Sequence, residues 1–294
     1  MQLTKLLTSI NHPIRSCLFA LAAALMLVSC GGGGQCYVCV TDIQVDRLSY
    51  SQTSNFKIIG TALSAGTAVN LSADKCSSIT VLNTSTDTEV NVSCTVNATG
   101  TLTFQAKDTS GASLLIKTLT VPEPQVTLVT SLGTLVIQLN PTAAPLTVSN
   151  YLQYVHDGFY DNTLFHRVAN LSGNGIPQIV QGGQLTASAE QTGVRAAIAN
   201  EGNNGLSNVR GSIAMARTSD MNSATSQFYF NVTDNAASLG QAGNEYAVFG
   251  TLIQGLTVLD AMGSSATGPS VIAGYILATR PLVDIVLQSA TQTQ

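Results

Sequence analysis

The 294-residue chain is mildly acidic and carries few charges: 12 Lys and Arg side chains stand against 16 Asp and Glu, for a net charge of −4. This balance, without any basic cluster, argues against nucleic acid as a partner. At about 150 residues per domain the length predicts two domains. Abundant Thr and Val favour β-structure over helix.

The N-terminal segment has the pattern of an export signal. The basic residues Lys5 and Arg15 precede an apolar run over residues 18–28, which has the length of a signal-peptide core and is too short to span a bilayer. The run leads into a Leu-Val-Ser-Cys sequence that ends at Cys30. This sequence resembles a bacterial lipobox, in which residues 1–29 are removed and Cys30 is acylated. An ordinary secretory signal with a chance cysteine is the alternative.

The lipobox resemblance implies a membrane-anchored location. Gly31 stands where an inner-membrane retention signal has Asp, so we expect the chain in the periplasm, lipid-anchored at the outer membrane of a bacterial envelope. Acyl chains supply the membrane affinity, and no transmembrane helix is needed. Residues 30–39 are then predicted to form the lipidated cysteine and a flexible tether.

Four further cysteines follow Cys30, namely Cys36, Cys39, Cys76 and Cys94. An oxidising compartment favours disulfides. Of the three possible pairings, we favour Cys76–Cys94 within a β-domain and Cys36–Cys39 as a local loop. The close Cys36/Cys39 spacing is also compatible with a redox or zinc motif, but no thioredoxin-like pattern and no second close pair accompany it.

Residues 40–121 have the pattern of an all-β domain. Short runs of alternating apolar and polar residues, such as 56–60, 89–96 and 101–106, are separated by turn-forming clusters, which predicts an immunoglobulin-like β-sandwich. Because no site is visible in it, we expect a spacer, with an adhesion or assembly role as the alternative. Pro122-Glu123-Pro124 then predicts a stiff hinge over 122–124.

After the hinge the pattern predicts a closed antiparallel barrel with capped ends over 125–290, and a tail over 291–294. A hairpin is expected over 126–139, then a helix with Thr147 as its N-cap that stops at Gly158. The remaining elements are strands near 163–168, 213–216, 227–232 and 247–251, a helix near 256–262 and a final strand near 282–287.

Polar residues interrupt several of these apolar strands: His166 and Arg167 follow Phe165, Gln181 precedes two glycines, and Gln227 precedes another phenylalanine. An arginine among apolar neighbours is costly unless it is paired or used. Arg167 is therefore either half of a structural ion pair or a functional group. The His, Cys and carboxylate spacings predict no metal site, and no cofactor motif is present.

Five segments resemble the cyclophilin family of peptidyl-prolyl isomerases, in the same order: 165–168, 181–183, 211–217, 226–229 and 246–250. Residues 200–211 are similar to the bacterial periplasmic branch. The resemblance covers 125–290 and implies an eight-stranded antiparallel barrel, two capping helices and a groove for proline-containing polypeptides. It implies a monomer that needs no cofactor or metal.

The resemblance also implies roles for individual residues. Arg167 takes the catalytic position and donates to the prolyl nitrogen of the twisted amide, Gln181 orients Arg167 or the substrate, and Gln227 binds the peptide backbone. His166 is expected to form a hydrogen bond behind the site rather than to donate a proton. The predicted substrate-binding residues are Phe165, His166, Ile179, Met215, Ala216, Arg217, Tyr229, Leu239 and Tyr246, among which Tyr229 and Leu239 line a proline pocket that Phe165 and Met215 support.

The chain departs from the family pattern in a Gly-rich insertion over 169–177, in Gln178 at an aromatic position and in Ser238 where many members have Trp or Phe. These changes predict a more polar pocket wall, weak cyclosporin binding and an altered substrate preference. The expected function is a prolyl isomerase that assists folding of envelope proteins. The alternatives are a non-catalytic module that binds Xaa-Pro segments and an envelope scaffold.

Overall fold

The computed structural model describes residues 37–176, 178–243 and 245–294, which form two compact units divided after Pro122. The predicted signal peptide, the predicted acylation site Cys30 and Cys36 lie outside the described residues. Across the part of the chain that is described, no helix combines the length and apolarity needed to cross a membrane.

The first unit consists of seven strands in two antiparallel sheets, ordered β1-β2-β5-β4 and β3-β6-β7. Phe56 and Ile58 alternate with exposed residues along β2, and the rings of Phe56 and Phe104 lie 4.8 Å apart. The two sheets therefore share one hydrophobic core. The strands are β1 Cys39–Val45, β2 Thr53–Thr61, β3 Val69–Ala73, β4 Thr80–Val81, β5 Glu89–Thr95, β6 Gly100–Asp108 and β7 Ser113–Val121.

All three cysteines that the structure describes in this unit are disulfide-bonded. Cys76 and Cys94 form the pair that the sequence favours, with their Cα atoms 5.6 Å apart. Cys39 is also disulfide-bonded, but its expected partner Cys36 lies outside the described residues. Cys39 begins β1, so it belongs to the folded unit and not to the predicted tether.

The second unit is a curled antiparallel sheet with the order β10-β18-β8-β9-β15-β13-β14-β12-β11. Its two end strands, β10 and β11, are separated in the chain only by Phe165 and His166. Counted as one interrupted strand, they close the sheet on itself with eight strands. The bounds are β8 Gln125–Thr130, β9 Gly133–Leu139, β10 Thr163–Leu164, β11 Arg167–Ala169, β12 Ile179–Gly182, β13 Ser212–Met215, β14 Phe228–Asn231, β15 Val248–Gln254 and β18 Val286–Gln292.

Two features near the C-terminus differ from the sequence prediction. Strand β18 continues through Gln292, which pairs with Val126, and the Gln125 N–H donates to the Gln294 carbonyl at 3.2 Å. The predicted tail over 291–294 is therefore part of the barrel. An unpredicted hairpin, β16 Thr267–Ile272 and β17 Tyr275–Pro281, precedes it.

Three α-helices occur in the described residues: α1 Pro145–His156, α2 Ala236–Leu239 and α3 Leu256–Gly263. Thr147 is not the N-cap of α1, because Pro145 starts the helix with a φ suited to its first position. The carboxylate of Glu201 caps it instead, accepting from the Leu146 N–H at 3.1 Å and the Thr147 N–H at 2.8 Å. A negative charge at this end also matches the helix dipole.

Replacing Glu201 with Ala should lower the free energy of unfolding by about 1 kcal/mol, because two N–H groups at the start of α1 lose their acceptor. Urea unfolding followed by circular dichroism measures the change. Glu201→Gln is the matched variant and should lose less, since its amide oxygen still accepts one bond. An unchanged midpoint for Glu201→Ala would show that the carboxylate does not support the helix.

The barrel interior is filled by aromatic rings. Phe228 lies at their centre, with ring centroids 5.5 Å from Tyr151 of α1, 5.3 Å from Tyr160, 5.9 Å from Phe165 and 6.0 Å from Phe230. Side chains alternate along a strand. Since Phe228 and Phe230 point inward, Tyr229 between them points to the outer face of the sheet.

Candidate active site

The candidate site lies on the outer face of four neighbouring strands. The strand register places Arg167 opposite Gln181, Gln181 opposite Tyr229, and Tyr229 opposite Ala214. These four residues therefore form one row across β11, β12, β14 and β13, at right angles to the strands. Arg167 makes one end of the row cationic, and Tyr229 and Ala214 make the other end apolar.

Arg167 supplies the positive charge of this row. Its Nη1 donates to Gln181 Oε1 at 2.9 Å. Burial lowers the pKa of the guanidinium, and nearby Tyr246 acts in the opposite direction, but arginine stays charged at neutral pH. No ion pair of the described residues includes Arg167, so the structure does not give it the ion-pair role that the sequence left open.

Hydrogen bonds continue from Gln181 through two more glutamines. Gln181 Nε2 donates to Gln227 Oε1 at 2.8 Å, and Gln227 Nε2 donates to Gln184 Oε1 at 2.7 Å. Gln184 Nε2 in turn donates to the Glu190 carboxylate, which also accepts from the Tyr275 hydroxyl at 2.9 Å. We call Gln181, Gln227 and Gln184 the glutamine relay. The sequence predicted its first two members but missed Gln184, Glu190 and Tyr275.

Next to the row lies an apolar cluster that brings together most of the predicted pocket residues. The rings of Tyr229 and Tyr246 meet edge to face at 5.9 Å, and the Arg217 guanidinium lies 4.2 Å from the Tyr246 ring centroid, within reach of a cation–π interaction. The cluster consists of Ala169, Ile179, Ala214, Tyr229 and Val248, with Leu206, Ala216, Leu239 and Tyr246 packed against them.

A network of buried asparagines supports the pocket, and no sequence pattern predicted it. The Tyr229 hydroxyl donates to Asn208 Oδ1 at 2.8 Å, and Asn231 Nδ2 donates to the same oxygen at 3.1 Å. Asn235 Nδ2 donates to Asn231 Oδ1 at 2.8 Å. Satisfied buried networks of this kind fix side-chain orientation, so Tyr229 presents one defined ring position to the cluster.

Gln178 connects this network to the Gly-rich insertion. Its Oε1 accepts from the Ser172 N–H at 2.8 Å, and its Nε2 donates to Asn235 Oδ1 at 3.1 Å. Both ends of the amide therefore hold neighbouring loops together. The sequence predicted only that Gln178 makes the pocket wall more polar. In the structure its amide also joins the Gly-rich insertion to Asn235.

Phe165 and Met215, expected among the substrate-binding residues as support for the proline pocket, are enclosed. Phe165 and Met215 are each only 1% exposed, and the Phe165 ring packs on Phe228 in the barrel interior. Met215 alternates with Ala214 and Ala216, which belong to the outer cluster, so Met215 points inward. Both side chains lie beneath the pocket as support and do not face a substrate.

His166 is also enclosed, and burial lowers the pKa of its imidazole to about 4. The ring is neutral at pH 7, which fits a role behind the site better than proton donation. The unfolded chain binds a proton at His166 near pH 6.5 and the folded chain does not, so stability falls as pH drops from 6.5 to 4. The loss expected from this group is on the order of 3 kcal/mol.

This pH dependence can be measured by comparing urea unfolding of the parent and of His166→Asn between pH 7 and 4. The parent should lose more stability over this window than the variant, whose side chain does not titrate. Equal slopes for the two proteins would mean that His166 is protonated equally in the folded and unfolded states.

The fold and this site define a prolyl isomerase barrel, and the comparisons agree. The family described as cyclophilin type peptidyl-prolyl cis-trans isomerase/CLD matches residues 125–292. The chain is 44% identical over 144 residues to peptidyl-prolyl cis-trans isomerase A of Dickeya dadantii, covering 48% of this chain and 72% of that protein. The chain belongs to the cyclophilin-type peptidyl-prolyl cis-trans isomerase family.

Two other relatives cover the same unit. Isomerase cyp18 of Streptomyces antibioticus is 45% identical over 145 residues, which is 48% of this chain and 84% of the relative. Isomerase B of Escherichia coli is 39% identical over 173 residues, which is 58% of this chain and 99% of the relative. In the described residues no group of three or more His, Cys, Asp or Glu side chains could hold a metal ion.

Proposed function

We propose that the isomerase unit of this chain accelerates cis–trans isomerisation of Xaa-Pro bonds in polypeptides of the bacterial envelope. Family membership supports the reaction, and the export pattern at the N-terminus supports the class of client. The observation that carries the proposal is the cross-strand row in which Gln181 holds Arg167 beside the apolar cluster around Tyr229.

The reaction needs a surface that prefers a twisted amide. Rotation about a peptide bond faces a barrier of about 18–20 kcal/mol because resonance keeps it planar, and Xaa-Pro bonds interconvert over tens to hundreds of seconds. A catalyst must therefore bind the twisted state more tightly than either planar form. No bond is made or broken, so hydrogen-bond donors and a shaped apolar pocket suffice.

In this proposal the proline ring of the substrate enters the apolar cluster, with Tyr229 and Leu239 as its walls. The Arg167 guanidinium then donates to the prolyl nitrogen, whose lone pair becomes available as resonance breaks. Gln227 binds the substrate backbone, and the chain at Ala216 and Arg217 contacts the residue before proline. Gln181 keeps Arg167 in place by accepting from Nη1.

A protease-coupled isomerisation assay on the chain from residue 35 onward tests this function. The expected result is cis-to-trans conversion of Xaa-Pro tetrapeptides well above the uncatalysed rate. A folded chain that binds these peptides without accelerating their conversion would instead be a non-catalytic Xaa-Pro binding module.

Lipid anchoring is the second part of the proposal, and it is supported by the lipobox-like sequence ending at Cys30. Acyl chains on this cysteine would hold the protein at the membrane. In a bacterial host we expect labelled palmitate to enter the parent chain and the protein to sediment with outer membranes. Cys30→Ser should abolish both, while labelling of that variant at the parental level would exclude Cys30 as the anchor.

For the first unit we propose an immunoglobulin-like sandwich that serves as a spacer. Immunoglobulin constant domains pair strands A-B-E-D in one sheet and C-F-G in the other, and the order β1-β2-β5-β4 with β3-β6-β7 corresponds to that arrangement. The isomerase unit aligns with 99% of the E. coli relative. Deleting residues 40–121 should therefore leave kcat/KM for tetrapeptides within twofold of the parent.

A further inference from the structure

The glutamine relay ends in two groups of opposite hydrogen-bonding character. At one end the Arg167 guanidinium has only donors, and at the other the Glu190 carboxylate has only acceptors. The three glutamines between them are joined by side-chain contacts of 2.7–2.9 Å from Arg167 to Gln184. Each amide can in principle turn either way, because its oxygen and nitrogen occupy nearly the same space.

Glu190 requires one direction of every amide in the relay, the same direction that Arg167 requires from the other end. Since the carboxylate accepts, Gln184 must present Nε2 to it and its oxygen to Gln227. Gln227 then gives Nε2 to Gln184 and its oxygen to Gln181. Gln181 is left with its oxygen toward Arg167 Nη1, which is the orientation that the guanidinium requires.

The backbone keeps Glu190 beside Gln184. The Gln191 N–H donates to the Gln184 carbonyl at 2.8 Å, and Leu185 and Glu190 form an antiparallel bridge. Tyr275 of β17 donates to the same Glu190 oxygen at 2.9 Å. Glu190 itself is exposed, so replacing it leaves no cavity in the core.

We infer that Glu190 is a positioning residue for Arg167: its carboxylate sets the orientation of the glutamine relay and thereby the acceptor that holds the guanidinium against the prolyl nitrogen. This inference rests on the proposed isomerase function and deepens it. It assigns catalytic influence to a surface residue outside the predicted pocket.

The test replaces the hydrogen-bond acceptor at the end of the relay with a donor. Glu190→Lys places a donor where the acceptor was, so Gln184 turns its amide oxygen toward the lysine. Gln227 and Gln181 then turn as well, and Gln181 presents its NH₂ group to the Arg167 guanidinium, which is also a donor. We expect kcat to fall about tenfold, with KM nearly unchanged, because the contact to the prolyl nitrogen strengthens only in the twisted state. Glu190→Gln keeps an oxygen available and should retain at least half of the parental kcat.

A double variant separates relay orientation from loss of charge. In Gln184→Glu combined with Glu190→Lys, the acceptor moves one position inward and pairs with the new lysine, so Gln227 again donates outward. We expect kcat to return to within threefold of the parent. Asp46→Lys, the same charge reversal at an exposed site of the first unit, is the control and should match the parent.

The outcomes distinguish this inference from the function beneath it. If the parent chain is inactive on Xaa-Pro peptides, the proposed function fails. If the parent is active and Glu190→Lys is equally active, or if the double variant stays as slow as Glu190→Lys, the isomerase function stands and the role of Glu190 is overturned.

Discussion

Replacing Arg167 with Lys should lower kcat/KM about 100-fold, or about 2.7 kcal/mol, the scale found when a preorganised donor is removed from a transition-state site. The guanidinium uses one nitrogen to bind Gln181 Oε1 and leaves others for the prolyl nitrogen. A lysine ammonium is a single, strongly hydrated point charge without this planar fork. It keeps the charge of Arg167 but loses the geometry.

The protease-coupled assay measures this effect, and Arg210→Lys is the matched control. Arg210 is exposed and binds both carboxylate oxygens of Asp260 at 2.6 and 2.8 Å, so its replacement should change kcat/KM by less than twofold. If Arg167→Lys keeps half or more of the parental activity, positive charge alone is sufficient and the donor geometry proposed for Arg167 is wrong.

Replacing Phe228 with Ala should cost about 3–5 kcal/mol of folding free energy, the range measured for truncating buried aromatic residues. Phe228 is fully buried and meets the rings of four aromatic neighbours, all of them edge to face at 5.3–6.0 Å. Truncation would remove those contacts and leave a cavity beneath the strand that carries Tyr229.

Urea unfolding monitored by circular dichroism checks this prediction. Ile276→Ala is a suitable control, because Ile276 is 85% exposed in the β16–β17 hairpin and its truncation should change stability by less than about 0.5 kcal/mol. A cost below 1 kcal/mol for Phe228→Ala would mean that the aromatic interior does not determine the stability of the barrel.

Site residues that stand in short contiguous segments could be predicted from the sequence. Arg167, Gln181 and Gln227 stand in short segments that resemble the family, and the register of β11, β12 and β14 brings them together. Met215 lies between Ala214 and Ala216, which face the pocket, so strand alternation places its side chain on the inner face, beneath the pocket.

Other features depend on contacts between distant segments, which no local pattern reveals. Glu201 caps two N–H groups that lie 54 and 55 positions earlier in the chain, and the Tyr275 hydroxyl binds Glu190 across 85 positions. The β16–β17 hairpin was not predicted. Val271 and Ile276 pair across it, and both side chains are exposed. An exposed pair gives no alternation between buried and polar positions.

Exchange NMR spectroscopy on an Xaa-Pro peptide, with a small amount of the full chain added, shows whether this chain catalyses prolyl isomerisation through Arg167. It observes interconversion of the cis and trans forms without a coupling protease. We expect catalysis that depends on Arg167: exchange becomes fast in the presence of the parent chain and stays slow with Arg167→Lys. Peptide signals that shift on binding while the cis–trans exchange rate remains at its uncatalysed value would contradict it.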